Sequence, residues 1–197
     1  MLPVAGILKR KSKSNPDTTY GELLPAFLSK IFDDTGLSQN SLYLDLGSGI
    51  GNTVLQAAIE SGCEATGIEY NRTTHKIALG HRRRFLLRRE LTDVKCGSTK
   101  LVQGDFLASP IADRLVSRAD VIIVNNYMFT QETDDRLYEK LLHLMKRGAR
   151  AVSTKTLQPM GRRRGELEGF TMRQLRYDED SVSWSPTAGP YWIAQKV

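Results

Sequence analysis

The chain has 197 residues, of which 40% are apolar and 25% are charged, and its net charge is +6. This length suits one domain with a proper core, and the composition excludes a chain that is disordered throughout. Two cysteines exclude a scaffold built on several disulfides, and no apolar run reaches the ~18–20 residues of a membrane-spanning helix. We therefore expect an intracellular soluble protein.

The positive charge is concentrated in three clusters. Clustered cations suit a polyanion such as nucleic acid, or an acidic protein face, although solvated surface explains the same charges equally well. Residues 1–19 lack periodicity and are predicted to form a flexible basic arm, ahead of a single domain over residues 20–197. The candidate contacts to a DNA backbone are Lys9, Arg10, Lys11, Lys13, Arg82, Arg83, Arg84, Arg162, Arg163 and Arg164.

Helical and strand patterns alternate along most of the chain. In chain order the pattern predicts a helix over 21–33, a strand over 42–46, a helix over 53–62, a strand over 64–69, a helix over 71–91, strands over 100–106 and 120–126, a helix over 132–147, and strands over 150–155, 169–178 and 191–197. The last two strands have no helix between them. The order predicts an α/β, Rossmann-like fold, in which a seven-strand, mostly parallel sheet ends in a C-terminal antiparallel hairpin.

A glycine loop follows the first predicted strand. Its glycines are spaced G-x-G-x-G, whereas the dinucleotide-binding fingerprint is G-x-G-x-x-G. Asp45 lies two residues before Gly47, where a carboxylate would repel a pyrophosphate and would suit a cationic ligand. S-adenosylmethionine carries both an ammonium and a sulfonium group, so we expect it to contact Gly47, Ser48 and Gly49. A tight structural turn is the alternative explanation of these glycines.

Two further acids follow the next two predicted strands. Glu69 is placed to accept hydrogen bonds from ribose hydroxyls, and Asp105 to accept one from an adenine amino group, with Phe106 packed on the ring. Each residue alone also fits a helix cap or a solvated carboxylate. Three acids at the carboxyl ends of three successive strands predict a class I methyltransferase that depends on S-adenosylmethionine.

The fourth predicted parallel strand ends in Val-Asn-Asn-Tyr-Met-Phe. Asn125 is placed to position an acceptor amine, and Tyr127 and Phe129 to form an apolar wall, although both aromatics also fit a core. Enzymes that methylate nucleic-acid amino groups usually carry Pro-Pro at this point. The absence of those prolines disfavours a nucleic-acid substrate.

Five stretches carry a family resemblance: TYGE at 19–22, DLGSGIGN at 45–52 with Gln56, GIE at 67–69, VNNYMF at 124–129 and DSVSW at 180–184. Together they resemble the DOT-type (disruptor of telomeric silencing) histone-lysine methyltransferases, and the resemblance extends over about residues 18–197. It implies methyl transfer from S-adenosylmethionine to a lysine of histone H3 in the nucleosome, and a nuclear location. The alternatives are a nucleic-acid methyltransferase, a methyltransferase of lysines in other proteins, and a chromatin- or RNA-binding module that keeps the fold without turnover.

The resemblance also implies a role for each matching residue. The methionine part of the cofactor would be covered by Tyr20 and Glu22, and the cofactor would be contacted by Asp45, Gly47 and Gln56. Its ribose would be bound by Glu69, and its adenine by Asp105 and Phe106. Asn125 would lie beside the transferring methyl, and a channel for the substrate lysine would be lined by Trp184 and Tyr191. The reaction is an in-line displacement that needs alignment more than acid–base chemistry.

Overall fold

The structure is a computed structural model that describes residues 21–157 and 169–197. Its elements are α1 (Pro25–Thr35), β1 (Leu42–Leu46), α2 (Asn52–Ser61), β2 (Glu64–Glu69), α3 (Arg72–Thr92), β3 (Thr99–Gln103), α4 (Pro110–Arg118), β4 (Val121–Val124), α5 (Gln131–Leu144), β5 (Arg150–Ser153), β6 (Phe170–Tyr177) and β7 (Gly189–Lys196). The expected contacts at Lys9, Arg10, Lys11, Lys13, Tyr20, Arg162, Arg163 and Arg164, and the predicted arm over 1–19, lie outside the described residues.

All seven described strands form one sheet, in the order β3-β2-β1-β4-β5-β7-β6. The first five strands pair in parallel, and β7 pairs antiparallel with both β5 and β6. This confirms the predicted α/β sheet with its C-terminal antiparallel pair. The strand order reverses at β1, which lies between β2 and β4, and open α/β sheets bind ligands at the carboxyl ends of the strands beside such a reversal.

Two apolar cores cover the two faces of the sheet. On one face α1 and α2 pack through residues such as Phe27 and Val54, and on the other α4 and α5 pack through Val116 and Leu137. All four residues of β4 are buried, as a central parallel strand requires. Within the described part of the chain, no helix combines the length and apolarity needed to cross a membrane.

Several elements differ from the sequence prediction, two of them between β3 and β4. Helix α4 was not predicted, although its buried residues Ala112 and Val116 lie four positions apart on one face; a second available signal was its cap, where Ser109 precedes Pro110 and accepts a hydrogen bond from the Ile111 amide. The strand predicted over 100–106 ends at Gln103, because the chain turns at Asp105, whose carbonyl accepts from the Ser109 amide.

Helix α3 is the predicted basic helix, and only Thr74 and Ala78 along it are buried. One of its expected DNA contacts has a different role in the structure. The Arg82 Nε donates to both the carbonyl and the hydroxyl of Thr99, at 2.9 and 3.0 Å, which anchors α3 to β3. Arg83 and Arg84 are exposed and remain available to a partner.

Candidate active site

The glycine loop turns sharply over the end of β2. Gly47, Gly49 and Gly51 have φ angles of 91°, 52° and 82°, in the left-handed region that other residues rarely adopt. The amides of Gly47 and Ser48 both donate to the Ile68 carbonyl, at 2.9 and 3.0 Å. Gly47 is exposed, whereas the Ser48 side chain is buried, so Ser48 faces the sheet and only its backbone borders the edge.

A second glycine makes this close approach possible. A Cβ on Gly67 of β2 would lie only 2.6 Å from the Ser48 side chain and 2.8 Å from Val54. The sequence therefore builds a loop whose backbone lies directly against the neighbouring strand. Within residues 47–51, Gly47 is exposed and its backbone can contact a ligand.

Glu69 fixes the loop from the end of β2. Its Oε2 accepts from the Gly49 amide at 2.9 Å, and its Oε1 accepts from the Asn71 amide at 2.6 Å. Burial raises the pKa of this carboxyl, while the two backbone donors lower it. Each carboxylate oxygen still has a lone pair to offer, so Glu69 can accept hydrogen bonds from a pair of hydroxyls at the edge.

Asp45 lies beneath the loop rather than on its surface. It is 3% exposed, and the Thr53 hydroxyl of α2 donates to its Oδ2. Burial, with a smaller contribution from the charge of Glu69, raises the pKa of Asp45 to about 7. A cation bound at the loop would stabilise the ionised carboxylate, so this site fits a positively charged ligand.

A pair of stacked aromatic rings lies near the loop. The rings of Phe106 and Phe129 stack at 5.9 Å, and the Phe129 ring lies 4.0 Å from where a Cβ on Gly47 would be. Asp105 is half-buried beside it, and its Oδ1 accepts from the Leu107 amide at 2.8 Å. These residues provide the stacking surface and the acceptor that an adenine ring needs.

The acceptor side of the site is centred on Asn125, after β4. Its Nδ2 donates to the Gly21 carbonyl at 3.1 Å, and its Oδ1 accepts from the Thr154 hydroxyl at 2.8 Å. Tyr127 stacks on Trp184 at 5.1 Å with 25° between the rings, and a Cβ on Gly21 would lie 2.7 Å from Trp184. The structure thus brings together three distant stretches of the sequence.

Three hydrogen bonds between residues 22–24 and 181–183 hold that arrangement. The Ser183 amide donates to the Glu22 carbonyl at 2.9 Å, the Glu22 amide donates to the Ser183 hydroxyl at 2.8 Å, and the Leu24 amide donates to the Ser181 carbonyl at 2.9 Å. This pairing explains why α1 begins at Pro25 and not at residue 21, as the sequence pattern predicted.

Two residues lie elsewhere than the sequence analysis placed them. The Gln56 Nε2 donates to the Pro25 carbonyl and to Glu60, both at 2.8 Å, so it ties α2 to α1 and is not directed at the loop. The Tyr191 side chain is fully buried against Phe27, and its hydroxyl donates to Asp34. Tyr191 is therefore a packing residue between β7 and α1, and its role in a lysine channel is only a prediction.

Sequence reasoning also missed several polar residues of the site. Thr154, which orients Asn125, follows directly after β5, and Asn126, which is fully buried, follows Asn125 after β4. The available signal was their position, because residues that directly follow a buried parallel strand lie at the ligand-binding edge of the sheet.

Comparisons with known proteins agree with this geometry. The family model described as "Histone methylation protein DOT1" matches residues 2–196. Relatives from Emericella nidulans and Yarrowia lipolytica, both named "Histone-lysine N-methyltransferase, H3 lysine-79 specific", are 39% and 35% identical over 95% and 94% of this chain. The chain spans only 38% and 39% of the length of these two relatives.

Solved structures show the same fold. An RNA methyltransferase from Salinibacter ruber, in complex with S-adenosyl-L-homocysteine, has a TM-score of 0.60 at 19% identity over 87% of this chain and 90% of that one. TrmN from Thermus thermophilus has a TM-score of 0.62 at 18% identity, over 88% of this chain and 49% of that one. The fold is that of the class I methyltransferases, and by the match over nearly its whole length the chain belongs to the DOT1 family of histone methylation proteins.

Proposed function

We propose that this chain is a protein lysine methyltransferase that uses S-adenosylmethionine and acts on a lysine of histone H3, within the nucleosome. The observation that carries the proposal is that Gly21 lies between Asn125, which donates to its carbonyl, and Trp184, which stacks on Tyr127. The family and the names of its relatives support histone H3, and lysine 79 in particular, as the acceptor.

The described residues fit the cofactor. Gly47 offers an exposed backbone, Glu69 a carboxylate for the ribose hydroxyls, and Asp105 with Phe106 an acceptor and a ring for adenine. Asp45 supplies buried negative charge beneath the cationic end. When bound, S-adenosylmethionine supplies an electrophilic methyl group on a cationic sulfur.

The protein's own contribution is to align the lysine amine and keep it neutral. A lysine ammonium has a reference pKa of ~10.4, and apolar surroundings lower that value. Tyr127 is 49% exposed and stacks on Trp184, so this aromatic pair can cover the lysine side chain at the edge. The Asn125 Oδ1 is held by Thr154 and has a second lone pair, with which it can accept from the amine.

Replacing Asn125 with alanine tests this assignment. Asn125→Ala removes the contacts to Gly21 and Thr154, so we expect methyl transfer to fall about 100-fold, the scale of a misplaced reactant. Binding of S-adenosylhomocysteine, measured by calorimetry, should be nearly unchanged. Asn40→Ala, at an exposed turn before β1, is the control and should leave both quantities unchanged. Full transfer by Asn125→Ala would refute the role of Asn125.

Contact with the DNA backbone of a nucleosome belongs to the same proposal. Arg83 and Arg84 are exposed on α3, where they can neutralise phosphates without reading sequence. Arg83→Glu/Arg84→Glu should weaken nucleosome binding and reduce its dependence on salt by about 0.9 in log–log slope per lost phosphate contact. Arg114→Glu/Arg118→Glu, on α4, is the matched control. Equal binding by both double variants would mean that α3 does not contact DNA.

Action on nucleosomes would place the protein in the nucleus. Fluorescence microscopy of the tagged full-length protein tests this, with signal over chromatin as the expected result. Signal excluded from chromatin would contradict the nucleosomal substrate.

A further inference from the structure

A buried polar network lies directly beneath the loop that carries Asn125. Asn126 is fully buried, and its Nδ2 donates to the Asp134 Oδ1 at 2.9 Å and to the Lys155 carbonyl at 3.1 Å. Its Oδ1 accepts from the Lys155 amide at 2.9 Å. The neighbour of Asn125 is therefore hydrogen-bonded both to α5 and to the chain after β5.

Lys155 holds the other end of the same loop. Its Nζ donates to the Phe129 carbonyl at 2.7 Å and forms an ion pair with the Asp134 carboxylate. The Phe129 amide in turn donates to the Asn126 carbonyl at 3.0 Å, which closes a tight turn over residues 126–129. One ammonium group thus links the end of this turn to a fixed point on the protein.

That fixed point is Asp134, in the first turn of α5. It is 2% exposed, and its amide donates to the Thr130 carbonyl at 3.0 Å, so it moves with the helix. A carboxylate near a helix N-terminus is favoured by the helix dipole. The ion pair therefore fixes the position of the loop relative to α5.

The loop carries a part of the site at each of its ends and has an exposed tip. Tyr127 and Met128 at its tip are both exposed, at 49% and 43%. Yet its two ends carry Asn125, at the acceptor side, and Phe129, which stacks on Phe106 beside the glycine loop. A small displacement of this turn would move both parts of the site at once.

Stability alone is a weak explanation for such a pair. Burying the Asp134 carboxylate costs desolvation energy, and the Lys155 side chain that pairs with it is 35% exposed, so solvent weakens the attraction between the two charges. A pair anchored on a buried carboxylate directly under this loop is better explained by the geometry that it enforces.

We propose that Lys155 and Asp134 are positioning residues that set the 125–129 turn, and with it Asn125 and Phe129, through Asn126 and the Phe129 carbonyl. The inference deepens the proposed function, because it assigns the residues that regulate the geometry of that same site. Neither residue needs to touch the cofactor or the substrate.

The test uses a variant that removes both charges and leaves no unpaired one. In Asp134→Asn/Lys155→Met the side chain at 134 can still accept from Asn126, so folding stability in urea should stay close to that of the wild type. The matched control is Asp113→Asn/Lys140→Met, which removes an ion pair between α4 and the same helix α5, away from the loop.

The main readout does not depend on activity. Tyr127 stacks on Trp184, so a displaced turn exposes that indole, and acrylamide quenching of Trp184 fluorescence reports it in a Trp192→Phe background. We expect the test variant to show increased quenching, together with affinity for S-adenosylhomocysteine and kcat on nucleosomes each lowered about 10- to 100-fold. The control should match the wild type in all three.

The outcomes separate this inference from the proposed function. Wild-type quenching and wild-type affinity for S-adenosylhomocysteine in the test variant, at unchanged stability, would overturn the positioning role. A wild-type protein that transfers no methyl group would contradict the proposed function, whereas the quenching and binding measurements would still decide the positioning role. Loss of stability equal to the loss of affinity would also overturn it, since the pair would then be merely structural.

Discussion

Asp45 is expected to lower the stability of the free protein at neutral pH, and replacing it should reveal this directly. Burial raises its pKa from the ordinary value of 3.8 to about 7. Between these two values the folded protein binds more protons than the unfolded chain, so stability falls as pH rises. The stabilising contribution of the protonated carboxyl is complete below pH 3.8 and is lost as pH rises through about 7.

The size of the effect follows from the shift. Each pKa unit corresponds to about 1.4 kcal/mol, so a shift of roughly three units corresponds to about 4 kcal/mol. Asp45→Asn keeps the shape and the acceptor for Thr53 but cannot ionise. The variant should match the wild type near pH 4 and exceed it by up to about 4 kcal/mol at pH 8.

Urea unfolding of both proteins at pH 4, 6 and 8 measures this difference, and other titrating groups cancel between them. Thr53→Val is a companion variant: it removes the hydrogen bond that lowers the pKa of Asp45, so its stability should continue to fall above pH 7. A constant difference between Asp45→Asn and the wild type at all three pH values would refute the reasoning. The same substitution should weaken cofactor binding, because it removes the charge beneath the cationic end.

Three further substitutions test the packing of the site. Gly67→Ala places a Cβ 2.6 Å from Ser48 and should lower the free energy of unfolding by about 1–3 kcal/mol. Gly80→Ala, in the middle of α3, places a Cβ that meets nothing within 4 Å and should raise the free energy of unfolding by about 1 kcal/mol. Urea unfolding measures both changes. Equal effects of Gly67→Ala and Gly80→Ala on the free energy of unfolding would contradict the close approach of the glycine loop to β2. Trp184→Ala removes the partner of Tyr127 and should raise KM for the lysine substrate more than it changes affinity for S-adenosylhomocysteine, measured by steady-state kinetics and calorimetry. A lower affinity for S-adenosylhomocysteine with an unchanged KM for the lysine substrate would contradict a role of Trp184 in substrate binding.

The fold could be predicted from the sequence because its signals are local. The β-branched run before Asn125 and the glycines after Asp45 fix strand and turn independently of the rest of the chain. Glu69 and Asp105 follow from the same rule, since carboxyl ends of parallel strands meet at one edge. The contact between the N-terminal stretch and the stretch around Trp184 was not predicted, because no periodicity indicates it.

The remaining features depend on tertiary contacts that spacing does not encode. Gln56 and Arg82 are polar residues on helices, and the pattern cannot say whether they face a ligand or a neighbouring element. Tyr191 is buried because α1 packs over β7, a contact between residues far apart in the chain. The Asp134–Lys155 pair joins a helix to the segment after the following strand, and neither residue belongs to a recognisable motif.

The most direct test of the proposed function is methyl transfer from tritiated S-adenosylmethionine to three substrates in parallel: nucleosomes, free core histones and naked nucleic acid. The account predicts label on a histone H3 lysine, with the strongest label on nucleosomes, and its loss in Asn125→Ala. Label on nucleic acid alone, or no label while S-adenosylhomocysteine still binds, would contradict it.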